Sequence, residues 1–147
     1  MKLKQIMLVQ STWELVHPNA ETAAQIFYNK LFELDPSLRG LFRNDIAEQG
    51  KLLLQMMGIA VRGLDQASVL LPIVRTLGRR HAVYGVQSRH YDLFGEAFMW
   101  MLKSGLAERF TTEVEAAWAA AYQLISRTMQ SASDEVKTGA VSEQATA

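Results

Sequence analysis

The chain has 147 residues, the size of one domain, and 49% of them are hydrophobic, enough to bury a sizeable core. Its 15 Lys and Arg balance its 15 Asp and Glu, so it carries no field that would draw nucleic acid or an anionic membrane. It has no cysteine, which excludes disulfides, thiol catalysis, iron–sulfur clusters and prosthetic groups attached through C-x-x-C-H. The apolar run Ile6-Met7-Leu8-Val9 is too short for a secretory signal, and no stretch approaches the length of a membrane span. The expectation is a soluble, cytoplasmic, single-domain protein.

Helical spacing organises the chain from its start. Ile6, Val9, Trp13 and Val16 share one face of a first helix over about residues 3–17, which Pro18 ends. Asn19 is placed to cap a second helix running to about residue 34, whose inner stripe is Ala20, Ala24, Phe27, Tyr28 and Leu31. Asp35-Pro36 opens a short third helix ending near Leu41-Phe42, and Arg43-Asn44-Asp45 is a polar connection. A longer helix over 46–62, stopped at Gly63, carries Ile46, Gln49, Leu53, Met56 and Ala60 on one face. Ser68 is a candidate cap for the next helix, with Pro72 moving its regular part toward residue 71. Leu70, Ile73, Val74 and Leu77 set its inner face, and the spacing carries through His81 to Tyr84 before Gly85 stops it. A helix over 88–103 buries Tyr91, Phe94, Phe98 and Leu102, and Ser104-Gly105 breaks it. Thr112 and Glu115 read as a capping box for a last helix with Val114, Ala117, Trp118, Ala121, Leu124, Ile125 and Thr128 inward. Residues 131–147 lose periodicity and read as a frayed or disordered polar tail after a domain over 1–130. No strand pattern or internal repeat is visible, so the class is all-α.

Three polar side chains interrupt these apolar stripes: Tyr28, Gln49 and His81, each on a different helix. A single buried imidazole is most simply a hydrogen-bonded core residue. Three inward polar groups together point to a cavity with one strong ligand and two hydrogen-bonding groups. No carboxylate shares these stripes, so acid–base pairs, carboxylate metal sites and Ser-His-Asp arrangements are poorly supported. One histidine cannot hold zinc alone, but it can hold an iron whose other ligands come from a porphyrin. His17 and His90 read as exposed or edge residues, Met56 and Met57 as core filling, and Trp13, Trp100 and Trp118 as packing anchors.

The chain resembles the globins, in particular the single-domain bacterial haemoglobins similar to the haem domain of flavohaemoglobins. The resemblance covers about residues 5–130. It rests on Ile26-Phe27-Tyr28-Asn29-Lys30-Leu31-Phe32 followed by Asp35-Pro36 and Leu41-Phe42, on Gly78-Arg79-Arg80-His81 followed by Tyr84-Gly85-Val86 and His90-Tyr91, and on Ala117-Trp118 with Tyr122. It implies a three-over-three helical sandwich around non-covalent haem b, with a shortened segment between Phe42 and Gln49. His81 would be the proximal iron ligand, Phe42 would stack on the porphyrin, and Tyr28, Gln49 and Leu53 would form the ligand side. Leu77, Val86, Tyr91 and Phe94 would line the haem, and Arg80 would pair with a propionate. The Leu77 carbonyl, one turn before His81, could accept from Nδ1–H and leave Nε2 for iron.

Hydrogen-bond donors beside bound dioxygen favour its retention, and Tyr28 and Gln49 can both donate. Reversible dioxygen binding or transport is therefore the leading expectation, in a monomer or weak homodimer. The alternatives are nitric oxide dioxygenation with electrons from an external reductase, since no reductase-like segment follows in these residues, and gas sensing. Carbon monoxide and sulfide are further candidate ligands. Where the flavohaemoglobin pattern has a glutamate oriented toward the proximal histidine, this chain has Ser133 or Asp134, so the resemblance does not carry over a peroxidase-like proximal side.

Overall fold

A computed structural model describes residues 1–42 and 45–139. Of the polar connection after Phe42, Arg43 and Asn44 lie outside these residues, as does the end of the expected tail, 140–147. All regular structure among the described residues is helical. There are six α-helices: α1 (Leu3–Val16), α2 (Ala20–Leu34), α3 (Ile46–Arg62), α4 (Ala67–Val83), α5 (Ser88–Leu106) and α6 (Thr112–Lys137). Short 3-10 turns span His17–Asn19, Pro36–Leu41 and Ala107–Arg109. No helix among the described residues is long and apolar enough to cross a membrane.

The apolar stripes bring the helices together as their spacing dictates. α4 packs on α6, α2 on α5, α1 on α6, and α2 on α3. The result is the all-α helical sandwich expected. Trp13, Leu31, Leu38, Met101, Leu102 and Trp118 are sealed in its core. The Trp13 and Trp118 rings stand 6.1 Å apart, and Trp118 Nε1 donates to Thr12 Oγ1 at 2.9 Å, which satisfies its one polar atom. Trp100 does not join them. It faces outward from α5, 46% exposed, with the Lys30 ammonium 4.4 Å above its ring.

Several boundaries differ from the sequence expectation, each for a local reason. Asn19 stands at the N-cap of α2 without a side-chain cap bond, because the preceding 3-10 turn leads the chain directly into the helix. α4 begins at Ala67 after Gln66, ahead of Ser68, and holds Pro72 within it. Buried Leu70 and Val74 on either side of the proline keep that turn helical. Tyr84, expected inward, is 70% exposed. α4 ends at Val83 and Gly85 takes φ +90, so the chain has left the helical path before the period can bring Tyr84 inside. α5 runs past Ser104-Gly105 because Leu106 is buried and holds one more turn. At α6 the cap is Thr111, whose hydroxyl accepts from Val114 N at 3.2 Å, one residue ahead of the expected Thr112 box.

The expected tail is also corrected over its first part. α6 continues to Lys137, with Ala132 and Ser133 fully buried. Glu135 pairs with Arg75 and, at 3.8 Å, with Arg79, and Lys137 Nζ donates to Val86 O at 3.2 Å. These contacts to α4 and the segment after it give small, polar residues a reason to stay helical.

Asp35 caps the 3-10 turn after α2. Its carboxylate accepts from Ser37 N at 3.0 Å, from Ser37 Oγ at 2.6 Å and from the Arg89 guanidinium at 2.9 Å. The Ser37 bonds, then Arg89, hold its pKa down at about 2 against an ordinary 3.8. A lowered carboxylate pKa contributes stability that is present above the unfolded value and lost as pH falls through the folded one. Asp35→Asn is therefore expected to flatten the acid limb of the stability curve between pH 3.8 and about 2, measured by denaturant melts across that range. A limb as steep as wild type would show that the carboxylate makes no such bonds.

Candidate functional site

α3 has two apolar faces. Gly50, Leu54, Gly58 and Val61 pack into the core, and the face carrying Gln49, Leu53 and Met56 opens onto a cavity of about 250 Å³. α2 adds Phe27 and Tyr28, the residue ending the 3-10 turn adds Phe42, α4 adds Leu77 and His81, α5 adds Phe94, and α6 adds Ile125 and Met129. A second hollow of about 130 Å³ shares Phe27, Leu53, Met57, His81, Phe94, Ile125 and Met129 with the first and continues to Tyr91, Tyr122 and Trp118. The aromatic wall is locked edge to face: Tyr28 and Phe42 have ring centres 5.2 Å apart, Phe27 and Tyr28 5.0 Å.

Of the residues singled out from sequence, Tyr28, Phe42, Gln49, Leu53, Leu77, His81 and Phe94 thus meet around one cavity, and Tyr91 stands at its extension. Val86 and Arg80 are not among the lining residues. Val86 is buried beside His81, its N–H donating to His81 O at 2.9 Å, and Arg80 is exposed at the same turn of α4. Leu52, Ile59 and Met129 line the cavity without having been singled out. Leu52, Met56 and Ile59 follow helical spacing, so that signal was present.

Tyr91 Oη lies 3.4 Å from His81 Nδ1, where the Leu77 carbonyl was expected, and Tyr122 Oη donates to Tyr91 O and steadies it. Burial pushes the His81 pKa below its ordinary value, so the ring is neutral at pH 7, the form that can ligate a metal. Burial pushes the phenols of Tyr28 and Tyr91 up to about 12, with Asp134 adding to the shift at Tyr91, so both remain protonated donors. Ser133, at the position compared with a glutamate, is sealed with its hydroxyl unpartnered and no charge to offer His81. His90, read as a surface or edge residue, is not at the surface: it is 4% exposed, accepts from Gln87 N through Nδ1 at 2.9 Å, and stacks on Phe94.

The walls suit a flat apolar group that carries its own metal. Leu52, Ile59 and Ile73 line the cavity yet are 52%, 47% and 43% exposed, an apolar rim that no other described residue covers. No cluster of three or more His, Asp or Glu among the described residues could hold a bare metal ion, so a metal at His81 must bring its other donors with it. A porphyrin does so.

Comparison with known proteins agrees. The family profile described as Globin matches residues 25–129. The chain is 28% identical to neuroglobin of Danio rerio over 132 residues, 80% of this chain and 83% of that protein. It is 32% identical to the flavohemoprotein of Bordetella parapertussis over 119 residues, 78% of this chain but only 29% of that longer protein. Its fold is similar to that of a hexacoordinated heme protein from an anhydrobiotic tardigrade, with TM-score 0.83, 20% identity and coverage of 92% of this chain and 96% of the other. An engineered carbene transferase derived from a Rhodothermus marinus protein described as a nitric oxide dioxygenase superposes with TM-score 0.84 at 24% identity, covering 94% and 96%.

Proposed function

Because the chain belongs to the globins, a family that implies a haem cofactor, we propose that it binds haem b through His81 and holds dioxygen reversibly between Tyr28 and Gln49. The observation that carries the reading is that one cavity gathers a neutral imidazole, two hydrogen-bond donors and an uncovered apolar rim. Haem, when bound, supplies an iron at which a diatomic gas can be held. The rest falls to the chain. With Tyr91 beside Nδ1, the ring's rotation is set and Nε2 is the nitrogen left for a metal. Phe42, Leu77 and Phe94 would supply apolar contact to a bound haem, and Arg80, exposed one residue before His81, would pair with a propionate. Tyr28 and Gln49 donate to the gas molecule. His81 is the only imidazole on the wall, so no second strong nitrogen donor competes with the gas.

The test is the dioxygen dissociation rate of the haem-loaded ferrous protein. One hydrogen bond contributes about 1 kcal/mol, so Tyr28→Phe is expected to speed release roughly fivefold to tenfold, and Gln49→Leu by a similar or smaller factor. Rates unchanged in both variants would overturn the assignment of these two residues.

A further inference from the structure

Trp13 and Trp118 are neighbours in the core, yet their indoles are provided for differently. Trp118 Nε1 donates to Thr12 Oγ1, whereas Trp13 Nε1 is sealed from solvent with no hydrogen-bond partner. A buried donor without an acceptor is costly, and a fold that keeps one asks for a reason. The indole is not free to turn toward another acceptor. Trp13 is fully buried, with the His17 ring stacked on it at 6.4 Å and the Trp118 ring at 6.1 Å between centres.

The indole nitrogen meets α3 at Gly58. A Cβ there would stand 3.6 Å from Trp13 Nε1, 3.3 Å from Arg62 Nη1 and 3.8 Å from Arg62 Cζ. Arg62 lies one turn further along α3, and its side chain leans back over Gly58, as helical side chains do toward the N-terminus. Gly58, having no side chain, therefore leaves a notch whose three nearest atoms include two donor nitrogens and no acceptor. Neither an indole nor a guanidinium can accept a hydrogen bond. Among the described residues no carboxylate forms an ion pair with Arg62. A water in the notch would accept from both nitrogens but find no acceptor among those nearest atoms for its own hydrogens. A small anion accepts only, and its charge complements the guanidinium.

We propose that the notch at Gly58 binds a small monovalent anion of halide size, which accepts from Trp13 Nε1–H and Arg62 Nη1–H and so ties α1 to α3. Arg62 is exposed, so its side chain can swing out to admit the ion from solvent and close behind it. The site lies apart from the His81 cavity, whose lining includes none of Trp13, Gly58 and Arg62, and it does not rest on the function proposed above.

The three indole N–H resonances of the full chain test this. Chloride, then bromide, replaces gluconate at constant ionic strength, gluconate being too large for the notch. The Trp13 resonance is expected to shift and saturate, while those of Trp118, already bonded to Thr12, and of exposed Trp100 stay in place. Arg62→Gln is expected to weaken halide binding roughly tenfold or more, and Arg62→Lys, which keeps the charge, by less. Gly58→Ala fills the notch and is expected to abolish the shift. The added methyl meets the flexible end of Arg62 and the indole edge at ordinary contact, so this variant is expected to fold and to melt no lower than wild type. A Trp13 resonance unmoved by either halide overturns the site. So does a shift shared by all three indoles, or one that persists unchanged in both Arg62→Gln and Gly58→Ala.

Discussion

His81→Ala is expected to abolish stable haem retention, the largest single effect at the site. The cavity around His81 has no other imidazole and no thiolate, and among the described residues no acidic cluster could take over the metal. Loss of a partner one step removed from a metal already costs 10–100-fold in affinity, so loss of the ligand itself is expected to exceed roughly 100-fold. Titration of the purified chain with hemin, followed by its Soret absorbance, measures this directly. Adding free imidazole is expected to restore a sharp Soret band in the alanine variant, because the substitution leaves space where the ring stood and the apolar walls remain. Tyr91→Phe separates ligation from orientation. It removes the hydroxyl 3.4 Å from Nδ1 and should weaken retention by less than the alanine does. Wild-type hemin affinity in His81→Ala would mean that the iron is held elsewhere.

How much of this was legible follows from what helical periodicity can and cannot encode. A stripe of apolar residues reports which side of a helix is dry. It placed Val9, Trp13 and Val16 on α1, and Phe27, Tyr28 and Leu31 on α2, where the structure buries them. It also set Tyr28, Gln49 and His81 apart as polar side chains on apolar faces, and the fold gathers them. Periodicity does not say where a helix stops, and Tyr84 lies one residue past that point. It does not tell a face that packs from a face that lines a cavity. The stripe read on α3 is the cavity face, and the packing face sets Leu54 between Gly50 and Gly58, two glycines that carry little hydrophobic signal. Ala132 and Ser133 carry no signal of their own. They are buried where α6 packs on α4, far away in the sequence, and Glu135 just beyond them pairs with Arg75 and Arg79. Arg80 and Val86 flank His81 closely in the chain, yet proximity in sequence does not turn a side chain toward the cavity.

Gly78→Ala is expected to be the most damaging small change outside the ligating residue. In the sequence Gly78 only accompanies His81, but in the fold it sets how closely α4 lies on α6. A Cβ at Gly78 would stand 2.2 Å from Met129 O, 2.7 Å from Met129 Cα and 2.8 Å from Met129 C. All three are backbone atoms, so no side-chain rotation relieves the overlap and α4 must lift from α6. Overpacking of this kind costs about 1–3 kcal/mol, which lowers the melting temperature of a domain this size by several degrees, about 3–10 °C. Gly40→Ala is the control, since nothing lies within 4 Å of a Cβ there. Its melt is expected to match wild type within about 0.5 kcal/mol. The damage should reach the site as well. Met129 lines the His81 cavity, and Gly78 stands one helical turn before His81 on the same face, so lifting α4 moves both walls at once. Hemin affinity is thus expected to fall together with melting temperature in Gly78→Ala and to hold in Gly40→Ala. A Gly78→Ala protein that melts like wild type would show that α4 and α6 do not approach as described, and with that contact would go the burial of Ser133 and the fixed position of the His81 ring.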